Sequence, residues 1–150
     1  MKIVQTLKQK NLKISTAESF TGGSIAKAII SESGASDVFY EGIVCYNAQV
    51  KIDKLSVKKE TIDTYSVVSE EVARQMVVGL IKNSSCDISV ATTGYAEIEG
   101  KDYGYGYIAV GDKNNIKVEK KQFFGNRQTV IEKATEFALN MIINFINERD

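Results

Sequence analysis

Apolar positions along this chain change their period several times, and each change marks the start of a new element. Ile3, Val4 and Leu7 are spaced as one face of a short opening helix, and the apolar, β-branched run from Leu12 to Thr16 then reads as a strand. A turn containing Gly22 and Gly23 feeds a helix near Ser24 to Ser31, with Ile25, Ala28 and Ile29 on its apolar side. After a turn at Gly34 to Ser36 the apolar stretch Gly42 to Asn47 reads as a second strand. A short helix follows over Ala48 to Leu55, carrying Val50, Lys51 and Lys54, and a further helical turn lies near Lys58 to Tyr65.

The second half repeats the alternation in a different arrangement. Ser69 is placed to cap a helix that has Glu70 and Glu71 in its first turn and buries Val72, Met76, Gly79 and Leu80. Asp87 to Thr92 is a short apolar strand that ends in a hydroxyl-rich turn, Thr92, Thr93 and Gly94. Gly106 to Val110 and Ile116 to Phe124 form a predicted hairpin joined through Gly111 to Asn115. Asn126 caps a last helix with the stripe Val130, Ile131, Ala134, Phe137, Ala138, Met141, Ile142 and Phe145. Strands that alternate with helices, plus one hairpin, predict a three-layer α/β/α sandwich whose mixed, mostly parallel sheet has about five strands. In such sheets ligands gather at the C-terminal ends of the strands. Those ends bring together Ser15 to Gly23, Tyr46 to Lys51 and Thr92 to Gly94.

Composition narrows the function. The 150 residues predict one domain over 1–150, long enough to bury about two thirds of its unfolded surface. Nineteen basic and nineteen acidic residues cancel, which removes the electrostatic case for nucleic acid or an anionic membrane. No apolar run approaches the roughly 20 residues of a transmembrane helix, and MKIVQTLKQKN lacks a signal-peptide core, so the cytoplasm is the expected location. Cys45 and Cys86 lie in apolar contexts without a CxxC pair and are expected to be buried free thiols.

The chain contains no histidine. A Ser/His/Asp triad, a Cys/His pair and any histidine metal site are therefore excluded, and no metal or other cofactor is expected. A serine nucleophile would have to pass its proton to a lysine, a carboxylate or a tyrosine. The segment Ser15 to Gly23, STAESFTGG, concentrates hydroxyls, a carboxylate and a Gly pair between strand and helix. The glycines let backbone approach a ligand, and the helix start offers amide N–H groups to a phosphate or an oxyanion. Ser19 is either a nucleophile there or the helix cap, and Glu18 either an acid or a local hydrogen-bond partner. Lys51, one helical turn beyond Tyr46 and Asn47, is either a solvated surface lysine or a desolvated base with a lowered pKa.

Taken together, TAESFTGG, then YEGIVCYNAQVK followed by LSV, then VSEEVA, a strand ending in TG, and FFGNR before the last helix resemble the C-terminal domain of the CinA (competence/damage-inducible) family. The resemblance runs in unbroken order over essentially the whole chain. It implies hydrolysis of the carboxamide of nicotinamide mononucleotide to nicotinate mononucleotide and ammonia, the activity of stand-alone versions of that domain. The family's serine falls on Ser19, and its tyrosine and lysine fall on Tyr46 and Lys51, as a Ser/Lys-type catalytic group. Glu18, Thr21, Gly22, Gly23, Asn47, Thr93 and Gly94 are then expected around the nucleotide substrate, with Arg127 on its phosphate. The N-terminal pyrophosphatase-like domain usual in the family has no counterpart in the sequence, which implies action alone or as a homo-oligomer.

One loop departs from the family. Where the amidohydrolases carry Gly-Ile-Ala-Gly-Pro, this chain has Gly94, Tyr95, Ala96, Glu97, Ile98, Glu99 and Gly100. Two carboxylates beside a phosphate would repel it, so the loop either turns outward or serves another ligand. A non-catalytic domain that binds a nucleotide or a partner protein is the alternative reading. Tyr103, Tyr105 and Tyr107 alternate onto one face of what reads as an edge strand, as a packed or intersubunit face or as rings that stack on a ligand.

Overall fold

The computed structural model describes residues 3–149. Its elements follow as α1 (Ile3–Gln9), β1 (Ile14–Glu18), α2 (Ser24–Ile30), a single 3-10 turn (Ala35–Asp37), β2 (Phe39–Val44), α3 (Ala48–Leu55), α4 (Lys59–Tyr65), α5 (Glu70–Asn83), β3 (Ile88–Tyr95), β4 (Tyr103–Gly111), β5 (Ile116–Phe124) and α6 (Arg127–Glu148). The sheet order is β2-β1-β3-β4-β5. β1 pairs in parallel with β2 and β3, whereas β3–β4 and β4–β5 are antiparallel. Four of the five strands therefore share a direction, and the expected mixed, mostly parallel α/β sheet is what forms.

Side-chain alternation along the strands divides the core in two. Ile14, Ile88, Val90, Ile108 and Val110 pack with α1, α2 and α6, led by Ile3, Leu7, Ile25, Ile29, Val130 and Ile142. Small residues Ala17, Ala91 and Ala109 face the other way, under Leu55, Val57, Val72, Met76 and Leu80 of the α3–α5 layer. The period-2 alternation of the strands is what makes one sheet serve two cores. Caps fall where side-chain chemistry places them. Ser69 accepts from the Val72 amide and Asn126 from the Thr129 amide.

The strands shift against their sequence limits for reasons of pairing. β1 runs on to Glu18 because both neighbours stay in register with it to that point, and β2 starts at Phe39, opposite Ile14. β3 extends to Tyr95 through its ladder with β4. That same ladder corrects the placement of the tyrosines. Tyr103, Tyr105 and Tyr107 do share a face, but β4 is internal and β5 is the edge. Tyr107 packs on the α5 side of the core, and the Lys120 ammonium lies over the rings of Tyr105 and Tyr107 at 5.3 and 5.8 Å. Both cysteines are free thiols, Cys45 buried and Cys86 half-buried.

The position of α3 depends on one glycine. A Cβ on Gly79 of α5 would lie 1.7 Å from the Leu55 carbonyl oxygen, so the two helices meet backbone to backbone there. Gly79→Ala is expected to force α3 outward and lower stability by about 3 kcal/mol. A guanidinium unfolding midpoint measures it, and a loss within the usual scatter of surface substitutions would contradict this packing.

Candidate active site

The site is built from the strand ends that the topology gathers. β1 and β3 run side by side in register from Ile14 opposite Ile88 to Glu18 opposite Thr92, and the chain then breaks from the sheet into the turn 19–23. Thr92 anchors that turn. Its carbonyl and its hydroxyl both accept from the Ser19 amide, at 3.2 and 3.1 Å. The Thr92 hydroxyl also bonds the Thr21 hydroxyl at 2.9 Å, and Thr21 donates to Glu18 Oε1 at 2.7 Å.

Glu18 resolves the question of who caps α2. Its carboxylate accepts from the Ile25 and Ala26 amides, each at 2.9 Å, and is buried. A carboxylate is well matched to the positive end of a helix. The residue at the formal cap position is Gly23, in a left-handed conformation that a side chain rarely adopts, and no side-chain bond is made there. Ser19 is therefore not the cap. The α2 start is also not vacant for a ligand anion, since the chain's own carboxylate holds its amides. The side-chain oxygens of Glu18 and Thr21 are thus engaged within the chain.

Lys51 completes the arrangement. The Asn47 side chain accepts from the Gln49 amide and starts α3, which puts Lys51 and Leu55 one turn apart on the buried side. Lys51 is 1 % exposed. Its Nζ lies 3.0 Å from Ser19 Oγ, 2.8 Å from the Cys45 carbonyl and 3.4 Å from the Tyr46 carbonyl. Among the described residues no carboxylate pairs with it. Burial therefore pushes the Lys51 pKa below the ordinary lysine value. The adjacent Cys45 thiol is pushed up to about 11 by its own burial and stays neutral near pH 7, so it supplies no counter-charge. A neutral amine has two N–H groups and one lone pair. Two carbonyls and one hydroxyl are the partners that such an amine can satisfy.

The other expected residues are distributed around this pair. The Tyr46 ring is 63 % exposed, and its phenol oxygen accepts from Arg127 Nη2 at 3.0 Å. Among the described residues nothing joins the phenol to Ser19 or Lys51, so only the Tyr46 backbone takes part in holding the amine. Arg127 in turn meets Glu97 at 3.6 Å. Thr93 is buried on the α3–α5 side of the sheet, opposite to its neighbour Thr92, and donates to the Val67 carbonyl. Gly94 serves packing: a Cβ there would sit 2.6 Å from the Tyr105 carbonyl oxygen and 3.0 Å from the Phe20 ring. Thr93 and Gly94 thus both take part in holding the scaffold. Sequence reasoning missed Thr92 as the anchor of Ser19, and its only sign was a hydroxyl at the end of the neighbouring strand.

Stability should report the buried amine. The unfolded chain keeps the Lys51 proton up to the ordinary value of 10.5, whereas the folded chain releases it at lower pH. Between those two points the unfolded state binds more protons, so folding stability rises with pH through this group. Lys51→Met removes that dependence. The melting temperature of the variant minus that of the parent is therefore expected to fall as pH is raised toward the ordinary lysine value of 10.5, and a constant difference would mean that Lys51 is not desolvated.

Comparison with known proteins follows the same lines. The family model for the CinA C-terminal domain matches residues 1–146. A putative competence-damage inducible protein of Finegoldia magna is 42% identical over 137 residues, covering 91% of this chain and 33% of its own length. A CinA-like protein of Fusobacterium nucleatum is 42% identical over 147 residues, covering 95% and 36%. The chain thus spans about a third of the curated relatives it matches. Among solved structures, a competence/damage inducible protein of Agrobacterium tumefaciens superposes with a TM-score of 0.89 at 31% identity, over 98% of this chain and 92% of that one. The match over nearly its full length places this chain in the family of CinA C-terminal domains.

Proposed function

We propose that this domain is an amidohydrolase in which Ser19 is the nucleophile and Lys51 the base, acting on the carboxamide of nicotinamide mononucleotide. The observation that carries the reading is the contact between a buried, uncompensated lysine amine and the hydroxyl of a serine at a strand end. The choice of substrate rests on the resemblance of the Ser19, Tyr46 and Lys51 motifs to the family's amidohydrolases.

The chemistry balances on these groups. Neutral Lys51 accepts the Ser19 proton while Ser19 Oγ bonds to the carboxamide carbon, and the carbonyl electrons move onto oxygen. The Gly22 and Ser24 amides are committed to the carbonyls of Ser19 and Thr21. Those of Phe20, Thr21 and Gly23 have no internal partner among the described residues, which makes them the donors available to the oxyanion. The Lys51 ammonium then returns its proton to the departing nitrogen, which leaves as ammonia, and an ester to Ser19 remains. Water, deprotonated by Lys51, attacks that ester, and the proton goes back to Ser19 as the carboxylate leaves. The Cys45 and Tyr46 carbonyls hold the amine in line throughout, with two hydrogen bonds in its neutral form.

Ammonia release from nicotinamide mononucleotide by the purified protein tests the reading directly. Ser19→Ala and Lys51→Ala are each expected to lose about a thousandfold or more in kcat/KM. Lys51→Arg should fail as well, because a guanidinium does not give up its proton. For the parent protein kcat/KM should rise with pH through a pKa below the ordinary lysine value, the direction set by burial of Lys51. Full turnover by Lys51→Ala would remove the proposed base, and ligand binding without any turnover by the parent would remove the enzyme.

A further inference from the structure

Arg127 and Glu97 belong to no hydrogen-bond network of the core, yet they are linked through one residue to the Ser19–Lys51 pair. Tyr46 makes the connection. Its carbonyl touches Lys51 Nζ and its phenol touches Arg127 Nη2, so the guanidinium is one tyrosine side chain away from the reacting atoms. On its other side Arg127 Nη1 faces Glu97 Oε1 at 3.6 Å, with side chains 50% and 63% exposed. The contact is longer than a good charge-assisted hydrogen bond, and exposed pairs of this kind hold weakly. The position of Glu97 is nevertheless set by packing. Ala96 is buried, and Gly104 of β4 is so close to the Tyr95 and Ala96 carbonyls that a Cβ would lie 2.3 and 2.8 Å from them. The loop backbone is clamped to the sheet immediately before Glu97.

We propose that Glu97 is a specificity-determining residue that acts as a built-in competitor for the anionic end of the ligand at Arg127. The inference rests on the proposed nucleotide ligand. A ligand phosphate has a better claim on the guanidinium than one carboxylate, because it carries more charge and accepts a bidentate fork. To take that place it must displace Glu97 and then remain near a like charge that the clamped loop does not let move far away. A ligand with the same ring and sugar but no phosphate meets neither obstacle. Glu97 therefore lowers the affinity for the nucleotide relative to the nucleoside, without touching the reacting atoms.

The test is a binding measurement that does not depend on turnover. Calorimetric titrations on Ser19→Ala protein, with and without Glu97→Gln, use nicotinamide mononucleotide and nicotinamide riboside as the two probes. Glu97→Gln should tighten mononucleotide binding roughly two- to fivefold, an effect of the size that surface charge pairs carry. It should leave the riboside unchanged, and addition of Arg127→Gln should abolish the gain. Equal changes for both ligands, no change for the mononucleotide, a gain that survives loss of Arg127, or absence of binding by either ligand would each overturn the proposal. The amidase reading stands or falls separately, on ammonia released by the unsubstituted protein.

Discussion

Burial of the Lys51 amine is the constraint around which the rest of the molecule is arranged. An ammonium at 1 % exposure with no carboxylate partner is costly. The chain meets that cost with backbone rather than with charge. β2 ends so that the carbonyls of Cys45 and Tyr46 turn toward one point, α3 begins at Asn47 so that Lys51 reaches that point, and Gly79 lets α3 approach α5 closely enough to keep water out. A carboxylate in the same place would have held the lysine charged. The absence of one is what gives the amine its capacity to accept a proton.

The hydroxyls divide their work according to strand alternation. Thr92 and Thr21 lie on the α2 side with Glu18 and lock the turn that presents Ser19. Thr93, one residue along, points to the α5 side and ties β3 to the Val67 carbonyl. Phe20 fills the space beneath Gly94 and Gly106, where a Cβ on either glycine would meet its ring at 3.0 or 2.7 Å. The turn is thus held from the sheet, from the helix and from below, and it presents the Ser19 hydroxyl to Lys51.

Much of this was legible in the sequence because the signals were local. Periodicity marks the six helices and the hairpin, and side-chain chemistry marks the caps at Ser69 and Asn126, whereas the cap at Asn47 emerged only with the structure. The pairing of Ser19 with Lys51 came from the resemblance to the CinA domain, since the residues by themselves left Ser19 as cap or nucleophile and Lys51 as surface lysine or base. What escaped was set by pairing and by orientation. Strand limits depend on the neighbour's register, so β1 and β3 ran past their apolar cores, and β4 became internal because β5 pairs along its whole length. The direction of the Tyr46 phenol depends on Arg127, 81 residues away. Ser19 reads as a cap of α2 and Glu18 as a local hydrogen-bond partner, and only the fold of the turn decides that the carboxylate reaches back to the helix.

That decision by Glu18 has a consequence for how the protein lives among other solutes. A bare helix start beside a nucleophile would be a resting place for inorganic phosphate, sulfate and the free phosphate ends of metabolites, each of which would block the serine. Here the place is permanently taken by a carboxylate that belongs to the chain. The Ile25 and Ala26 amides are thereby closed to the small anions of the surroundings. Under the proposed function, selection among phosphorylated compounds would then fall to Arg127, at the exposed end of the Tyr46 side chain.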